Sequence, residues 1–305
     1  MAENKTRGFV TVATGSDEYY RLAENLRISY KKRGKGRFPF ALICDRENEY
    51  TALFDQVILA QEVRRSTLDK LLMRLSPYDE TIFLDADTLV IGDIDDLWDV
   101  FRDQDDVSAF GCTLPLDSQK GWFTYGGSGA YQDRVKYLIS MNGGIYYVRK
   151  SALSQKVFQD AQQVVKDYAT IDFKYFSLPQ DEPVMAMAMV INGCKPADIV
   201  YDMIVLPFAK EKISVDYQGN VYEGRVRTHK KLIHFATAKT RLFLYHYLID
   251  VIRSESYAEN RRHYLLTRIR YAPRDIKATV FHTGGVILRG WGLDKVVEFL
   301  KNIKR

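Results

Sequence analysis

A four-residue apolar run followed by two aspartates constrains this chain more than any other stretch. Thr81–Leu84 is rich in β-forming residues, too short for a helix and bounded by polar residues, so it predicts a buried central strand. Asp85 and Asp87 follow it, at the strand end where open α/β sheets bind ligands. Such neighbouring carboxylates repel each other unless a cation lies between them, and Mg²⁺ or Mn²⁺ accepts these oxygens while keeping positions for phosphate. The stretch therefore predicts a metal site that binds a diphosphate.

The residues after the two aspartates separate several kinds of site. A solvated acidic loop is the simplest alternative. A calcium loop is excluded, because Leu89 and Val90 stand where it needs a further oxygen ligand and a glycine. A phosphatase with an aspartyl nucleophile also places Asp-x-Asp after a strand, but Thr88 comes one position too early for its motif. A phosphohydrolase with Asp85 as nucleophile remains an alternative.

Strand and helix patterns alternate along most of the chain, which predicts an α/β fold with a mainly parallel central sheet flanked by helices. The expected organisation is a catalytic domain over residues 1–240 and a helical, basic extension over 241–305. Besides Thr81–Leu84, the predicted strands are Phe9–Ala13, Phe40–Cys44, Val57–Leu59, Val107–Phe110, Ile145–Val148 and Leu232–Phe235. One predicted helix follows Asp17, and a second follows Ser66, with Asp69 as the other member of its capping box. Two further helices are predicted over Ser151–Tyr168 and Val184–Ile191.

The positive charge of the chain is concentrated at its carboxyl end. The net charge is +5, yet residues 261–305 alone hold 11 Lys and Arg against 3 Asp and Glu. This tail predicts a possible contact with an anionic membrane surface, although a solvated helical face explains it equally well. Nucleic acid is not expected as a partner.

The start of the chain and its apolar runs suggest a cytoplasmic protein. MAENKTRG lacks the apolar core of a secretion signal, and runs such as Pro183–Ile191 are too short to span a bilayer. The three cysteines are odd in number and lack metal-ligand spacing, which indicates reduced thiols. The expected location is therefore the cytoplasm, with the basic tail as the one feature that would bring the protein to a membrane.

Further candidates for the site each have a structural alternative. Lys70 lies on the helix before the metal strand and is either a ligand contact or a solvated lysine. Asn142–Gly144 lets backbone approach a ligand, Asp181 is either catalytic or a helix cap, and His234 is either a metal ligand or a core histidine. The glycine- and aromatic-rich segment Leu114–Gln132 predicts a mobile loop that contacts the acceptor, or a plug of the core.

The chain resembles the glycogenin-like retaining glycosyltransferases, which use nucleotide-diphosphate sugars. The resemblance spans about residues 7–240 and implies a single nucleotide-sugar-binding α/β domain. The stretches that carry it, in chain order, are FVTVATGSDEYY, Lys70, YDETIFLDADTLVIGDIDDLWD, MNGGIYYV, QDE at 180–182 and HFATAKT at 234–240.

This resemblance implies three groups of site residues. The residues that would hold Mn²⁺ (or Mg²⁺) are Asp85, Asp87 and His234. The residues that would bind the donor nucleotide and its phosphates are Thr11, Ala13, Thr14, Tyr19, Lys70, Ala86 and Lys239. The residues that would face the transferred sugar are Asn142, Gly143 and Asp181, and those with a catalytic role are Asp181, Asn142 and Lys70. Three positions depart from the family pattern: Thr237 replaces a glycine, Lys239 comes one place early and precedes Thr240, and Glu182 replaces a glutamine, which bears on the choice of sugar.

The implied reaction moves a hexose from a UDP-sugar to a glycan, glycolipid or protein acceptor with retention of configuration. Negative charge that develops on the leaving diphosphate would be stabilised by the metal and by lysines. Asp181 would face the oxocarbenium-like sugar, either as nucleophile or as a positioning group. A non-catalytic module that binds sugar nucleotides is the main alternative, and a phosphohydrolase is the other.

Overall fold

The computed structural model describes residues 5–254, except positions 200, 207, 210, 217, 237 and 238, together with residues 267, 270 and 271. The chain forms two compact units. One contains residues up to 205 and residues 229–234, and the other contains residues 206–228 and those from 235 on. Nearly all of the predicted basic tail, 261–305, lies outside the described residues, so its membrane contact stays a prediction.

A six-stranded sheet with strand order β3-β2-β1-β4-β7-β6 forms the centre of the first unit. Strands β3, β2, β1 and β4 are parallel, and β7 is antiparallel to both of its neighbours. The mainly parallel sheet is therefore confirmed. The strands up to this point of the chain are β1 (Arg7–Ala13), β2 (Phe40–Cys44), β3 (Gln56–Leu59), β4 (Glu80–Leu84), β5 (Thr88–Val90), which joins a second sheet, β6 (Val107–Leu114) and β7 (Leu138–Arg149).

Helices cover this sheet because their apolar residues recur at helical spacing. In α1 the residues Leu22, Ala23, Leu26 and Tyr30 are all buried. Helix α3 begins at a true capping box, in which Ser151 and the residue three positions later exchange hydrogen bonds. The helices of this unit are α1 (Asp17–Arg33), α2 (Leu97–Val100), α3 (Ala152–Lys166) and α4 (Asp181–Ile191).

The segment that follows Ser66 differs from its prediction in helix type and in capping. It is a 3₁₀ helix, Thr67–Leu75, and the Ser66 side chain makes no capping hydrogen bond. Asp69 instead accepts hydrogen bonds from the Thr14 hydroxyl at 2.6 Å and from the backbone N–H groups of Arg64 and Arg65 at 2.7 and 2.8 Å. The predicted capping box is wrong because a tertiary partner on β1's carboxyl side occupies the carboxylate.

Two glycine-containing segments are more regular than predicted. Asn142–Gly144 lies inside strand β7 and not before it. In the segment after β6, Phe123 and Tyr131 are buried, and Tyr131 lies in a 3₁₀ helix, Gly129–Arg134. Glycine is accommodated at these two positions of β7 because the side chains of Glu182 and His234 pack directly against its backbone.

A second, three-stranded sheet with order β5-β12-β8 brings a distant part of the chain to the end of β4. Strand β12 is antiparallel to β5, and His234 pairs with Thr88 in this ladder. The strands of the later part of the chain are β8 (Met203–Leu206), β9 (Ile213–Val215), β10 (Val221–Glu223), β11 (Val226–Arg227) and β12 (Leu232–Phe235).

The second unit contains the antiparallel sheet β11-β10-β9 and helix α5 (Phe243–Arg253). The ring of Phe235 packs edge-on against Tyr245 of this helix, with 5.0 Å between ring centroids. None of the helices within the described residues has both the length and the apolar character needed to cross a bilayer.

Candidate active site

The turn after β4 fixes the two aspartates of the Asp-x-Asp motif. The backbone N–H of Asp85 donates to the Gly144 carbonyl on β7 at 2.9 Å, and the Thr88 N–H donates to the Asp85 carbonyl at 3.0 Å. The Asp85 side chain accepts a further hydrogen bond from the Ala86 N–H at 3.0 Å. Asp85 and Asp87 therefore stand on a short, hydrogen-bonded turn at the carboxyl edge of the sheet, as the sequence predicts.

The pairing of β12 with β5 places His234 beside both aspartates. Its Nε2 lies 3.1 Å from Asp87 Oδ1 and 3.6 Å from Asp85 Oδ2. One ligand atom from each of the three residues lies within 4.8 Å of the others. His234 is only 4% exposed, whereas the side chains of Asp85 and Asp87 are 18% and 23% exposed. Two carboxylate oxygens and one imidazole nitrogen form a donor set for a divalent metal ion.

Lys70 connects this cluster to Asp181, the first residue of α4. The Lys70 ammonium lies 2.7 Å from Asp85 Oδ2 and 2.8 Å from Asp181 Oδ2, and it donates to the Gly143 carbonyl at 3.4 Å. Only 18% of the Lys70 side chain and 7% of the Asp181 side chain are exposed. One buried cation is thus shared by a metal-cluster carboxylate and by the carboxylate predicted to face the sugar.

The charged side chains of the site shift one another's pKa values and stabilise one another's charged forms. Burial raises the pKa of Asp85, but Lys70 and His234 outweigh this effect and keep it below its usual range. Burial lowers the pKa of His234, but hydrogen bonds to Asp85 and Asp87 outweigh burial and raise it to about 10. Burial lowers the pKa of Lys70, but the nearby carboxylates of Asp181 and Asp85 outweigh burial and raise it well above its usual value. Imidazole binds metal in its neutral form, so metal binding here requires His234 to release its proton.

Two glycines of β7 allow the side chains of Glu182 and His234 to lie directly against the strand backbone. A Cβ atom on Gly143 would lie 2.6 Å from Glu182 Cγ, and one on Gly144 would lie 2.6 Å from His234 Nδ1. The Gly143 N–H donates to Glu182 Oε1 at 2.5 Å, and the Gly144 N–H donates to Asn142 Oδ1 at 3.0 Å. The Asn-Gly-Gly sequence is therefore required by the packing of the site.

Glu182 is a member of this site that the sequence prediction did not include among the site residues. Burial raises its pKa, and the neighbouring Asp181 carboxylate raises it further. Burial likewise raises the pKa of Asp181. The signal was present in the sequence as a carboxylate directly after Asp181, at the position where the resembling family has glutamine.

Two solved structures that are similar to the chain are glycosyltransferases. The chain is similar to the bifunctional glycosyltransferase WbbM at 15% identity and a TM-score of 0.50, over 86% of this chain and 52% of that one. It is also similar to the glycosyltransferase GlyE of Streptococcus pneumoniae TIGR4, at 15% identity and a TM-score of 0.40, over 60% of this chain and 43% of that one. The chain thus spans about half the length of these structures.

The chain has a glycosyltransferase fold. This conclusion depends on the likeness to WbbM, and it concerns the fold alone. No family model matches the chain, and no curated protein matches its sequence.

The predicted nucleoside residues lie near the carboxyl end of β1 and in the first turn of α1. Ala13 and Thr14 are buried at the strand end, and Thr11 is completely buried within the strand. Tyr19 is 56% exposed, so its ring is free to meet a ligand. Their contact with a nucleotide stays a prediction. Lys239 belongs to the second unit, in a 3₁₀ turn over Lys239–Arg241, and its contact with phosphate also stays a prediction.

Proposed function

We propose that this protein is a metal-dependent glycosyltransferase that moves a hexose from a UDP-sugar to a glycan, glycolipid or protein acceptor. The observation that carries the proposal is the cluster of Asp85, Asp87 and His234, joined through Lys70 to Asp181 at the carboxyl edge of the sheet. The fold shared with WbbM supports it. The chain is similar to the glycogenin-like enzymes in its motifs, and retention of configuration is part of the proposal on that ground.

The residues of the cluster fit a divalent metal ion. Asp87 Oδ1 is buried and, apart from its contact with His234, has no hydrogen-bond partner within the described residues. Carboxylate oxygens suit both Mg²⁺ and Mn²⁺, and of these two ions the transition metal Mn²⁺ accepts an imidazole nitrogen more readily. When bound, such an ion neutralises charge on the diphosphate of the donor.

Lys70 supplies a fixed positive charge on the leaving-group side. Cleavage of the bond between the anomeric carbon and the phosphate leaves negative charge on the diphosphate. Lys70 is held in place by Asp85 and Asp181 before any substrate binds, so little reorganisation is needed as that charge develops. Burial of the ammonium strengthens this effect, because screening by water is weak there.

Asp181 faces the sugar in this proposal. It is the first residue of α4, where the helix dipole stabilises a negative charge, and Lys70 pairs with it. A carboxylate in this position stabilises the positive charge that develops on the anomeric carbon and ring oxygen. Asn142 and Gly143, on the adjacent strand β7, complete the surface on which the sugar would lie.

The deciding experiment is a hydrolysis screen. UDP-glucose, UDP-galactose, UDP-N-acetylglucosamine and GDP-mannose are incubated with the protein and Mn²⁺, with EDTA as the metal-free reference. We expect metal-dependent release of UDP or GDP from at least one donor. Asp87→Ala should abolish this release, whereas Asp99→Ala, at an aspartate whose side chain is 69% exposed, should retain it.

Other outcomes of the same screen contradict the proposal. Tight UDP binding without hydrolysis or transfer of any donor would indicate a non-catalytic module. Turnover of p-nitrophenyl phosphate that requires Asp85, with no turnover of sugar nucleotides, would indicate the phosphohydrolase.

A further inference from the structure

An aromatic cluster is formed by the segment that leads into α4 and the segment that follows β6. It consists of Trp122, Tyr175 and Phe176. The ring planes of Trp122 and Phe176 are inclined by 30° with centroids 6.0 Å apart, and Tyr175 meets Trp122 edge-on at 6.2 Å. Tyr175 is 74% exposed and Phe176 is 37% exposed, and the nearby Leu178 is 66% exposed. Contiguous apolar side chains left in water usually mark a binding surface.

The base of this aromatic cluster is fixed to the body of the protein. The Lys174 N–H donates to the Trp122 carbonyl at 2.8 Å, which ties the two chain segments together. Next to it, Phe173 forms a bridge with the buried Phe123 and packs against Tyr168, with 4.3 Å between ring centroids. The exposed rings therefore project from a packed support.

The backbone at Tyr175 is strained. Its φ is +72°, a left-handed conformation that is a genuine outlier for a residue with a bulky side chain. Strain of this kind persists where the surrounding structure enforces it, and it is common at ligand clamps. The side chain of this residue is largely in solvent, where it contributes little to the core.

The aromatic cluster lies close along the chain to the proposed sugar site. Phe176 precedes Asp181 by five residues, so the two Cα atoms are at most about 18 Å apart. The Thr67 hydroxyl donates to Gln180 Oε1 at 3.0 Å, which joins the end of this segment to the 3₁₀ helix that carries Lys70. A short oligosaccharide can reach from Asp181 to these rings.

The chemistry of the surface matches a carbohydrate. Pyranose rings present an apolar C–H face that packs on aromatic rings, and their hydroxyl groups require polar neighbours. Polar groups border the cluster, among them Lys174, whose ammonium donates to the Ser118 carbonyl at 3.5 Å, and Asp172, whose carboxylate accepts from Thr124 at 2.8 Å. We propose that Trp122, Tyr175 and Phe176 bind the acceptor and that the acceptor is a carbohydrate. This inference rests on the proposed function, since it names the acceptor class of that site.

The first test measures sugar binding without catalysis. Trp122 lies in the cluster and reports on it by fluorescence. The protein is titrated with maltose, lactose and N,N′-diacetylchitobiose. We expect at least one of these sugars to change the tryptophan emission with saturation, and Trp122→Phe to remove the change. In Tyr175→Ala the binding of that sugar should weaken by about 3- to 10-fold, the loss that corresponds to one aromatic contact.

The matched control is Phe208→Ala, because Phe208 is also 74% exposed but belongs to the second unit. It should bind the sugar as the native protein does. Circular dichroism of each variant checks that the fold is retained. Absence of any saturable change with these sugars, or an equal effect of Tyr175→Ala and Phe208→Ala, would overturn the inference.

The second test separates this inference from the proposed function. Transfer from the active UDP-sugar to p-nitrophenyl glycosides is measured against acceptor concentration, and we expect Phe176→Ala to raise the acceptor KM by about 3- to 10-fold with little change in kcat. Native protein that hydrolyses the donor but shows no change of acceptor KM in this variant refutes the aromatic acceptor site alone. Native protein that hydrolyses no donor refutes the proposed function, and the sugar titration still decides whether the cluster binds carbohydrate.

Discussion

Replacement of Lys70 by methionine tests the central ion cluster most directly. The substitution keeps the length and apolar stem of the side chain and removes the cation that lies 2.7 Å from Asp85 and 2.8 Å from Asp181. Loss of one partner from a buried ion pair costs about 3 to 5 kcal/mol, because an uncompensated charge is left behind. The Lys70 and Asp85 side chains each retain 18% exposure, so we expect the lower end, about 3 kcal/mol.

Thermal unfolding measures this loss. At about 2 °C per kcal/mol for a chain of this size, the midpoint of Lys70→Met should fall by about 6 °C. Added Mn²⁺ should recover part of the loss, since a cation bound by Asp85 and Asp87 offsets the same excess of negative charge. Donor hydrolysis should fall by about 100-fold or more, because a preorganised charge beside the leaving group is lost.

Lys35→Met is the matched control for this prediction. Lys35 pairs with Asp93 at 2.7 Å, but its side chain is 61% exposed, and pairs of that kind contribute at most about 1 kcal/mol. If Lys70→Met and Lys35→Met unfold at the same temperature, the shared buried cation is not a main stabilising feature. If Mn²⁺ stabilises native protein but not Lys70→Met, the metal and Lys70 do not act on the same carboxylates.

Two further substitutions test packing and helix formation. Gly144→Ala places a methyl group 2.6 Å from His234 Nδ1, so we expect a destabilisation of about 1 to 3 kcal/mol and weaker Mn²⁺ binding in a calorimetric titration. The control is Gly126→Ala, which has no atom within 4 Å of the added carbon and should change neither stability nor Mn²⁺ binding. Equal behaviour of the two variants would contradict the packing argument. Ser151→Ala removes the side-chain acceptor of the α3 capping box, so the free energy of unfolding measured by urea denaturation should fall by about 1 kcal/mol, with no effect on Mn²⁺ affinity. An unchanged free energy of unfolding would show that the cap contributes nothing.

The local parts of the site are the ones that the sequence predicts well. The apolar run ending at Leu84 and the adjacent Asp85 and Asp87 form one continuous stretch, so strand, turn and carboxylates follow from the residues themselves. His234 stands far along the chain, and its place beside the aspartates depends on the pairing of β12 with β5. Spacing alone does not decide whether a histidine within a strand is a metal ligand or a core residue, and only the resemblance to a family assigned His234 to the metal.

The errors in prediction have the same physical origin. Asp69 has the spacing of a capping residue, but its carboxylate accepts instead from the distant Thr14 hydroxyl and from the backbone amides of Arg64 and Arg65 just before the helix. Gly143 and Gly144 predict by their composition a strand that begins after them, yet β7 runs through both, and the side chains of Glu182 and His234 occupy the space beside their backbone. Tertiary contacts overrode a local preference in each case.

The long interval between the aspartates and the histidine affects how the site comes into being during synthesis. By the time residue 149 has emerged from the ribosome, every strand of the six-stranded sheet exists, whereas the third member of the cluster is 85 residues away. A nascent or prematurely terminated chain can thus assemble its scaffold and still be unable to hold the ion with all three ligands. The three proposed metal ligands come together only when the strand that carries His234 pairs with β5.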